Sequence, residues 1–342
     1  MRQNMLWSGL SAAALLLAGI LCSAPVLYSQ NSGPREKILS ILQQHSPTGF
    51  FVLDAYEEFS FALEHRYMPW KTKKDDFMEF VRGDSVESLL GSVNIVVHET
   101  YHTYSALRAF QLSEERFGRP LPGYHAFLAK DNAAMLVKRT PVFNTSEIAD
   151  SIPERLRTFR FATYIAPDPA GSLSATGSKA WGVYGLLNEY SAYYHGNKAA
   201  LDLYPYYRDV MPPGPAKWHD YFSGINRSFS ANVEFRFFIL KYLQYAKEHH
   251  PLIYSGIMEN REFVLAYHAV SKQHEDLSDE YFRIKKEVFT NLEKEGYTVT
   301  EDAENMYTGK GASRYGSSHH LAAYYLLRDE LEKPEYRTIM KQ

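Results

Sequence analysis

Cysteine is almost missing from this chain: of its 342 residues only Cys22 carries a thiol. A disulfide framework is therefore excluded, and removal of the segment around Cys22 would leave no cysteine at all. Stability has to come from a buried core, for which about 310 residues are ample, as one large domain or two lobes. A cationic block is missing as well. Lysine and arginine (37) nearly balance aspartate and glutamate (40), giving a net charge of −3, and without a basic run a nucleic-acid surface is not expected. The sequence also contains no internal repeat and no low-complexity segment. What it has in quantity is aromatic: 26 Tyr and 20 Phe imply an unusually aromatic interior or cleft.

The N-terminus is the first positive signal. Met1-Arg2 precedes an apolar run from Met5 to Cys22, followed by the small residues Ser23 and Ala24, the pattern of an export signal. The run is almost long enough to span a bilayer, so an uncleaved anchor is the alternative. Cys22 invites lipid attachment, although Leu21 stands where a small residue is expected, and Pro25 is awkward for cleavage after Ala24. Residues 1–29 are thus read as a signal peptide or anchor and 30–342 as the folded domain. The Gly-, Ser- and Pro-rich stretch 167–178 is where two lobes would meet. The protein is expected to be exported: periplasmic, secreted or attached to a membrane through its N-terminal segment.

The central motif is His98-Glu99-Thr100-Tyr101-His102. Residues four apart share one face of a helix, so His98 and His102 can offer two imidazole nitrogens to one metal ion. Glu99, turned about 100° away, can reach a water without replacing a ligand. This is the arrangement of a zinc-peptidase helix with Glu99 as general base. In a chain with 13 His an accidental array has a prior of about a few per cent. The context argues against accident: Val93, Ile95, Val96 and Val97 are apolar nearly all round the preceding turn, and buried histidines need partners. Thr100 departs from the usual bulky apolar residue at its position.

Coarse patterning places this motif on a helix from about Val86 to Leu112, capped by Ser85 or Asp84. A first short helix is expected over Pro34–His45 and a strand over Phe50–Leu53. The acidic stretch 54–58 is read as a solvated face. Tyr124–Ala129 and Met135–Thr140 flank the turn residues 130–133 as a hairpin, with Pro141 ending the second strand. A helix start at Ser151–Glu154, an extended segment over Phe159–Ile165 and a helix from about Lys179 to Tyr194 follow. Beyond Pro215 the periodicity is strongly helical: one or two long helices, a further one over Phe263–Leu292, and a last over Leu321–Leu331. The fold class expected is α+β and predominantly α-helical, with a zincin-like active-site helix, a small β-sheet or hairpin and a helical C-terminal lobe.

A catalytic zinc site takes three protein ligands and leaves a position for water. Asn188-Glu189 lies on the helix expected over 179–194, and His98-Glu99-x-x-His102 together with Asn188-Glu189 resembles the constellation of the gluzincins, the thermolysin-like zinc peptidases. That resemblance covers about twenty residues. It implies Zn²⁺ as cofactor, Glu189 as third ligand and a peptide or protein as substrate. In gluzincins an Asp usually stands four residues after the ligand Glu; here Tyr193 does, either hydrogen-bonding an imidazole or turning toward substrate. Alternatives stay open: Glu189 as a helix carboxylate paired with Lys or Arg, and His195 as the third ligand, although His195 beside Gly196 also suits a cap or surface position.

Arg314, Tyr315, His319 and His320 gather just before the last helix, where they would stabilise an oxyanion, as downstream Tyr, His or Arg residues do in gluzincins, or form a surface turn. The function expected is that of an exported zinc metallopeptidase. A non-catalytic, zinc-stabilised envelope binding protein and an accidental motif that binds no metal are the alternatives.

Overall fold

The computed structural model describes residues 33–129, 132–168, 177–318 and 321–340, all within one compact unit. Residues 1–29, where an export signal is expected, with Cys22, His319 and His320, lie outside the described residues, as does most of the stretch 167–178. Among the described residues no helix is long and apolar enough to cross a membrane.

The architecture is α+β and predominantly helical. Helices α1 (Pro34–His45), α2 (Pro47–Glu57) and α3 (Phe61–Tyr67) lead to the long α4 (Val86–Phe117), and a hairpin, β1 (Tyr124–Leu128) and β2 (Ala134–Lys138), follows. One-turn helices α5 (Phe161–Tyr164) and α6 (Gly177–Ala180) precede α7 (Gly182–Asp202) and α8 (Tyr204–Asp209). The C-terminal half contains α9 (Ala216–Phe229), α10 (Ala231–His249), α11 (Pro251–Met258) and α12 (Arg261–Lys294). After these come strands β3 (Thr298–Glu301), β4 (Asn305–Lys310) and β5 (Ser313–Ser318), then α13 (Leu321–Leu331) and α14 (Pro334–Ile339).

Local chemistry explains most boundaries. Ser85 caps α4 by accepting from the Ser88 amide, and Gly118, at φ 72°, ends it in the left-handed region that glycine enters without strain. Along α4, Leu89, Val93, Val96, Val97, Tyr101, Tyr104 and Leu107 are buried, so this helix runs through the core rather than over it. Its main partner is α7. The approach is close because Gly196 faces α4: a Cβ there would meet the Asn94 carbonyl oxygen at 2.6 Å and the His98 Cβ at 3.3 Å. Glu189, Tyr193 and Gly196 stand four and three residues apart, on the same side of α7. The contact that needs glycine therefore also turns Glu189 toward the histidines.

Several phenols of the aromatic core have their polar tips satisfied. The buried phenols of Tyr221, Tyr242 and Tyr281 donate to the Leu201 carbonyl, the Phe143 carbonyl and Asn226 Oδ1 at 2.8, 2.8 and 2.7 Å. A tyrosine-rich interior is stable on those terms.

Several local expectations change. Phe50–Leu53 is not a strand but the middle of α2, where Ser46 accepts from the Gly49 amide and Pro47 occupies the first turn; a four-residue apolar run has no periodicity that separates the two. Phe159–Ile165 is one helical turn, not extended. The start at Ser151–Glu154 becomes a pair of 3₁₀ turns, Thr145–Ser151 and Glu154–Leu156. The antiparallel β3-β4-β5 sheet is an addition, its second turn passing through Gly311 at φ 59°.

A candidate metal centre between two helices

His98 and His102, one turn apart on α4, are 4 % exposed and partly buried respectively. From α7, Glu189, 7 % exposed, closes the group, and the three form a cluster able to hold a metal ion. The Nε2 atoms of the two histidines are 3.2 Å apart. Glu189 Oε2 lies 3.7 Å from His98 Nε2 and 3.4 Å from His102 Nε2. Ligand atoms about 2.0–2.1 Å from a tetrahedral ion are themselves about 3.3–3.4 Å apart. Three donor atoms with these spacings, on side chains of suitable chemistry, fit such an ion without rearrangement.

The surroundings orient each donor. His102 Nδ1 is 2.7 Å from Asn188 Oδ1, an acceptor, so Nδ1 carries the proton and Nε2 keeps its lone pair toward the cluster. Asn188 is held in turn by Ser105, its Nδ2 donating over 3.3 Å. Glu189 accepts from Ser178 Oγ at 2.6 Å on one oxygen and from the Tyr164 phenol at 3.1 Å on the other. Buried His98 Nδ1 has no hydrogen-bond partner of regular geometry. Unlike a paired surface carboxylate, Glu189 has no Lys or Arg partner among the described residues.

The charges interlock. Burial, with repulsion from His102, drives His98 down to about 3, so its imidazole is neutral. Burial acts on His102 in the same sense, but Glu189 outweighs it and raises the group. Glu189 is pushed up by burial and pulled down further by His102, to about 2. The result is an ionised carboxylate beside a neutral His98 imidazole, with the Glu189 charge favouring positive charge at the cluster. Glu99 sits at the edge, its side chain 36 % exposed and Oε1 4.0 Å from His98 Nε2; burial raises its carboxyl, as does Glu189, against the pull of His102.

The other sequence candidates separate clearly. Tyr193 is beside the cluster, its ring centroid 4.3 Å from that of His98 and its hydroxyl 3.5 Å from that of Tyr164. Tyr315 lies on exposed strand β5, not at a helix N-terminus, with its ring 6.4 Å from His219. His195 is neither a cap nor a surface residue: it is 1 % exposed inside α7, its Nδ1 bonded to the Ser191 carbonyl and its ring stacked on Tyr101.

Ser178 and Ser105 went unseen in the sequence, as did Tyr164 and Arg160. The latter two come from the segment that the structure turns helical. Arg160 is buried against Glu234, Nη1 to Oε2 at 2.6 Å, and its guanidinium carbon lies 4.5 Å from the Tyr193 ring centre. Comparison with protein-family models, curated proteins and solved structures found no match for the chain.

Proposed function

We propose that this chain is a zinc-dependent hydrolase of the gluzincin kind, cleaving peptide bonds outside the cytoplasm. One observation carries the reading: three donor atoms on α4 and α7 converge at the spacing of zinc ligands, with Glu99 adjoining them. The resemblance through His98-Glu99-x-x-His102 and Asn188-Glu189 and the export-like N-terminus support it further. A structural zinc site is closed by four protein ligands. Among the described residues this cluster has three, which favours a site open to water over the binding-protein reading.

His98, His102 and Glu189 would hold the ion. The chemistry zinc supplies when so bound is a water acidified toward a pKa of about 7 and polarisation of a carbonyl. Glu99 then moves the proton: its raised carboxyl takes it from the attacking water and delivers it to the leaving nitrogen. Asn188 keeps His102 in the donor-bearing tautomer. Ser178 and Tyr164 fix the carboxylate plane of Glu189. The Tyr193 phenol lies between Arg160 and Tyr164. Its hydrogen points along the long 3.5 Å contact with the Tyr164 hydroxyl, and turning it from there would serve oxygen charge that develops on the substrate.

The test is hydrolysis of an unstructured protein substrate by the purified chain, its loss on chelation and return with zinc, and the variant Glu99→Gln. That variant should keep zinc near one per chain while turnover falls about 10²–10⁴-fold. Undiminished turnover in Glu99→Gln would remove the catalytic assignment.

A further inference from the structure

A groove of about 580 Å³ runs between α4 and α9 and ends at His98, Tyr193 and Arg160. Small residues form its walls: Ser88, Gly91 and Ser92 on α4, Ser223, Gly224 and Ser228 on α9. Its length follows from Glu87 and His98, both lining it on one helix, about 16 Å apart along the axis. That is room for a few extended residues.

Charged residues stand at both ends of the groove. At the far end Glu87 and Asp220 face the cavity, and Asp220 is pushed up by burial and by Glu87, so the two carboxylates feel each other. At the end toward the metal centre stand Arg160 and Arg227. Arg160 is 4 % exposed, its Nη groups committed to Glu234, Ser230 and the Arg227 carbonyl. Its buried Nε–H has no acceptor of regular geometry, and a buried donor left so is unfavourable. Exposed Arg227 has no ion pair among the described residues. A rigid guanidinium with an unused donor, a second with no partner and a neighbouring metal centre all call for one thing. They call for an anionic oxygen on the substrate.

We propose that this groove selects substrates bearing a carboxylate next to the bond that is cleaved, recognised by Arg160 and Arg227. The inference rests on the hydrolase reading. The carboxylate comes from the C-terminus of the chain being shortened or from an acidic side chain just after the cleaved bond. It is a spectator to the chemistry: water oxygen bonds to the carbonyl carbon, the C–N bond breaks, and the water proton reaches the leaving nitrogen through Glu99.

Two measurements on the full chain test this. In the first, zinc-loaded protein is given three matched peptides: one with a free C-terminal carboxylate, its carboxamide, and a carboxamide with Asp after the expected cleavage point. Mass spectrometry locates the cut. One of the two carboxylate-bearing peptides should be cleaved at least about tenfold faster than the neutral one: removal of the C-terminal residue identifies the terminal source, cleavage before Asp the side-chain source. Equal rates on all three would overturn the proposal. In the second, N-acetylphenylalanine and its amide are titrated calorimetrically into wild type and into Arg227→Gln, an exposed change that leaves Arg160 and its buried pair intact. The carboxylate should bind at least about tenfold tighter, and Arg227→Gln should erase the difference. Equal affinities, or a preference untouched in Arg227→Gln, refute the site. If no peptide is cleaved in a chelator-sensitive way but the carboxylate preference holds, the hydrolase reading fails and the carboxylate site stands.

Discussion

Asn188 is the residue at which tautomer, geometry and metal affinity meet. Its Oδ1 accepts from His102 Nδ1 at 2.7 Å, in a place where Asn188 is 8 % exposed and bulk water has little access. Asn188→Leu keeps much of the volume and removes the acceptor. His102 then has a buried N–H without a partner, at a cost of about 1–3 kcal/mol, and its ring is no longer held with the Nε2 lone pair facing Glu189. Removing such an outer partner typically lowers metal affinity about 10–100-fold, or about 1.4–2.7 kcal/mol. Zinc dissociation constants from competition with a chelating dye, with thermal melting as the control for folding, would show it. Asn188→Asp retains the acceptor and adds charge, so it should bind zinc at least as tightly as wild type. An affinity for Asn188→Leu within about twofold of wild type would refute the tautomer argument; equal weakening in both variants would assign the loss to packing.

Acid should unfold the protein through histidines that have no part in the metal centre. Burial drives His125 and His274 down to about 3 and His195 to about 4, against about 6.5 in the unfolded chain. The unfolded state binds these protons more readily, so the stability is present above about pH 6.5 and is lost as pH falls toward 4 and 3. The slope is up to about 1.4 kcal/mol per pH unit for each histidine. Urea unfolding at pH 7 and pH 5 measures it, and a flat profile between them contradicts it. Gly196→Ala places a methyl against the Asn94 carbonyl and should both lower the melting temperature and weaken zinc binding, because α7 carries Glu189. A loss of stability with zinc affinity intact would separate that contact from the centre.

The two histidines and Glu99 were legible because a four-residue helical spacing fixes a face, and the apolar turn before His98 placed that face in the interior. Long periodic segments were legible for the same reason: α1, α12 and α13 lie where the 3.6-residue pattern puts them. Glu189 was accessible only by resemblance. The spacing within α7 says nothing of which helix it faces, and the determinant, Gly196 against Asn94, is a contact between residues distant in sequence. Phe50–Leu53 and Phe159–Ile165 misled because short apolar runs carry no period. The second of these concealed Arg160 and Tyr164, whose roles come from partners such as Glu234 and Glu189 that only the fold supplies. The β3–β5 sheet went unseen because β3 and β5 are short and mostly exposed, so no apolar alternation marks them.

The most direct test of the central claim is the zinc content of the purified chain, measured by mass spectrometry of the metal after exhaustive dialysis, for wild type, Glu189→Ala and His195→Ala. Wild type and His195→Ala should retain close to one zinc ion per chain, and Glu189→Ala should lose it, since three donors at 3.2, 3.4 and 3.7 Å are then reduced to two. A wild-type chain without metal, or a Glu189→Ala variant that still holds one equivalent, would contradict the assignment of His98, His102 and Glu189 as the ligands.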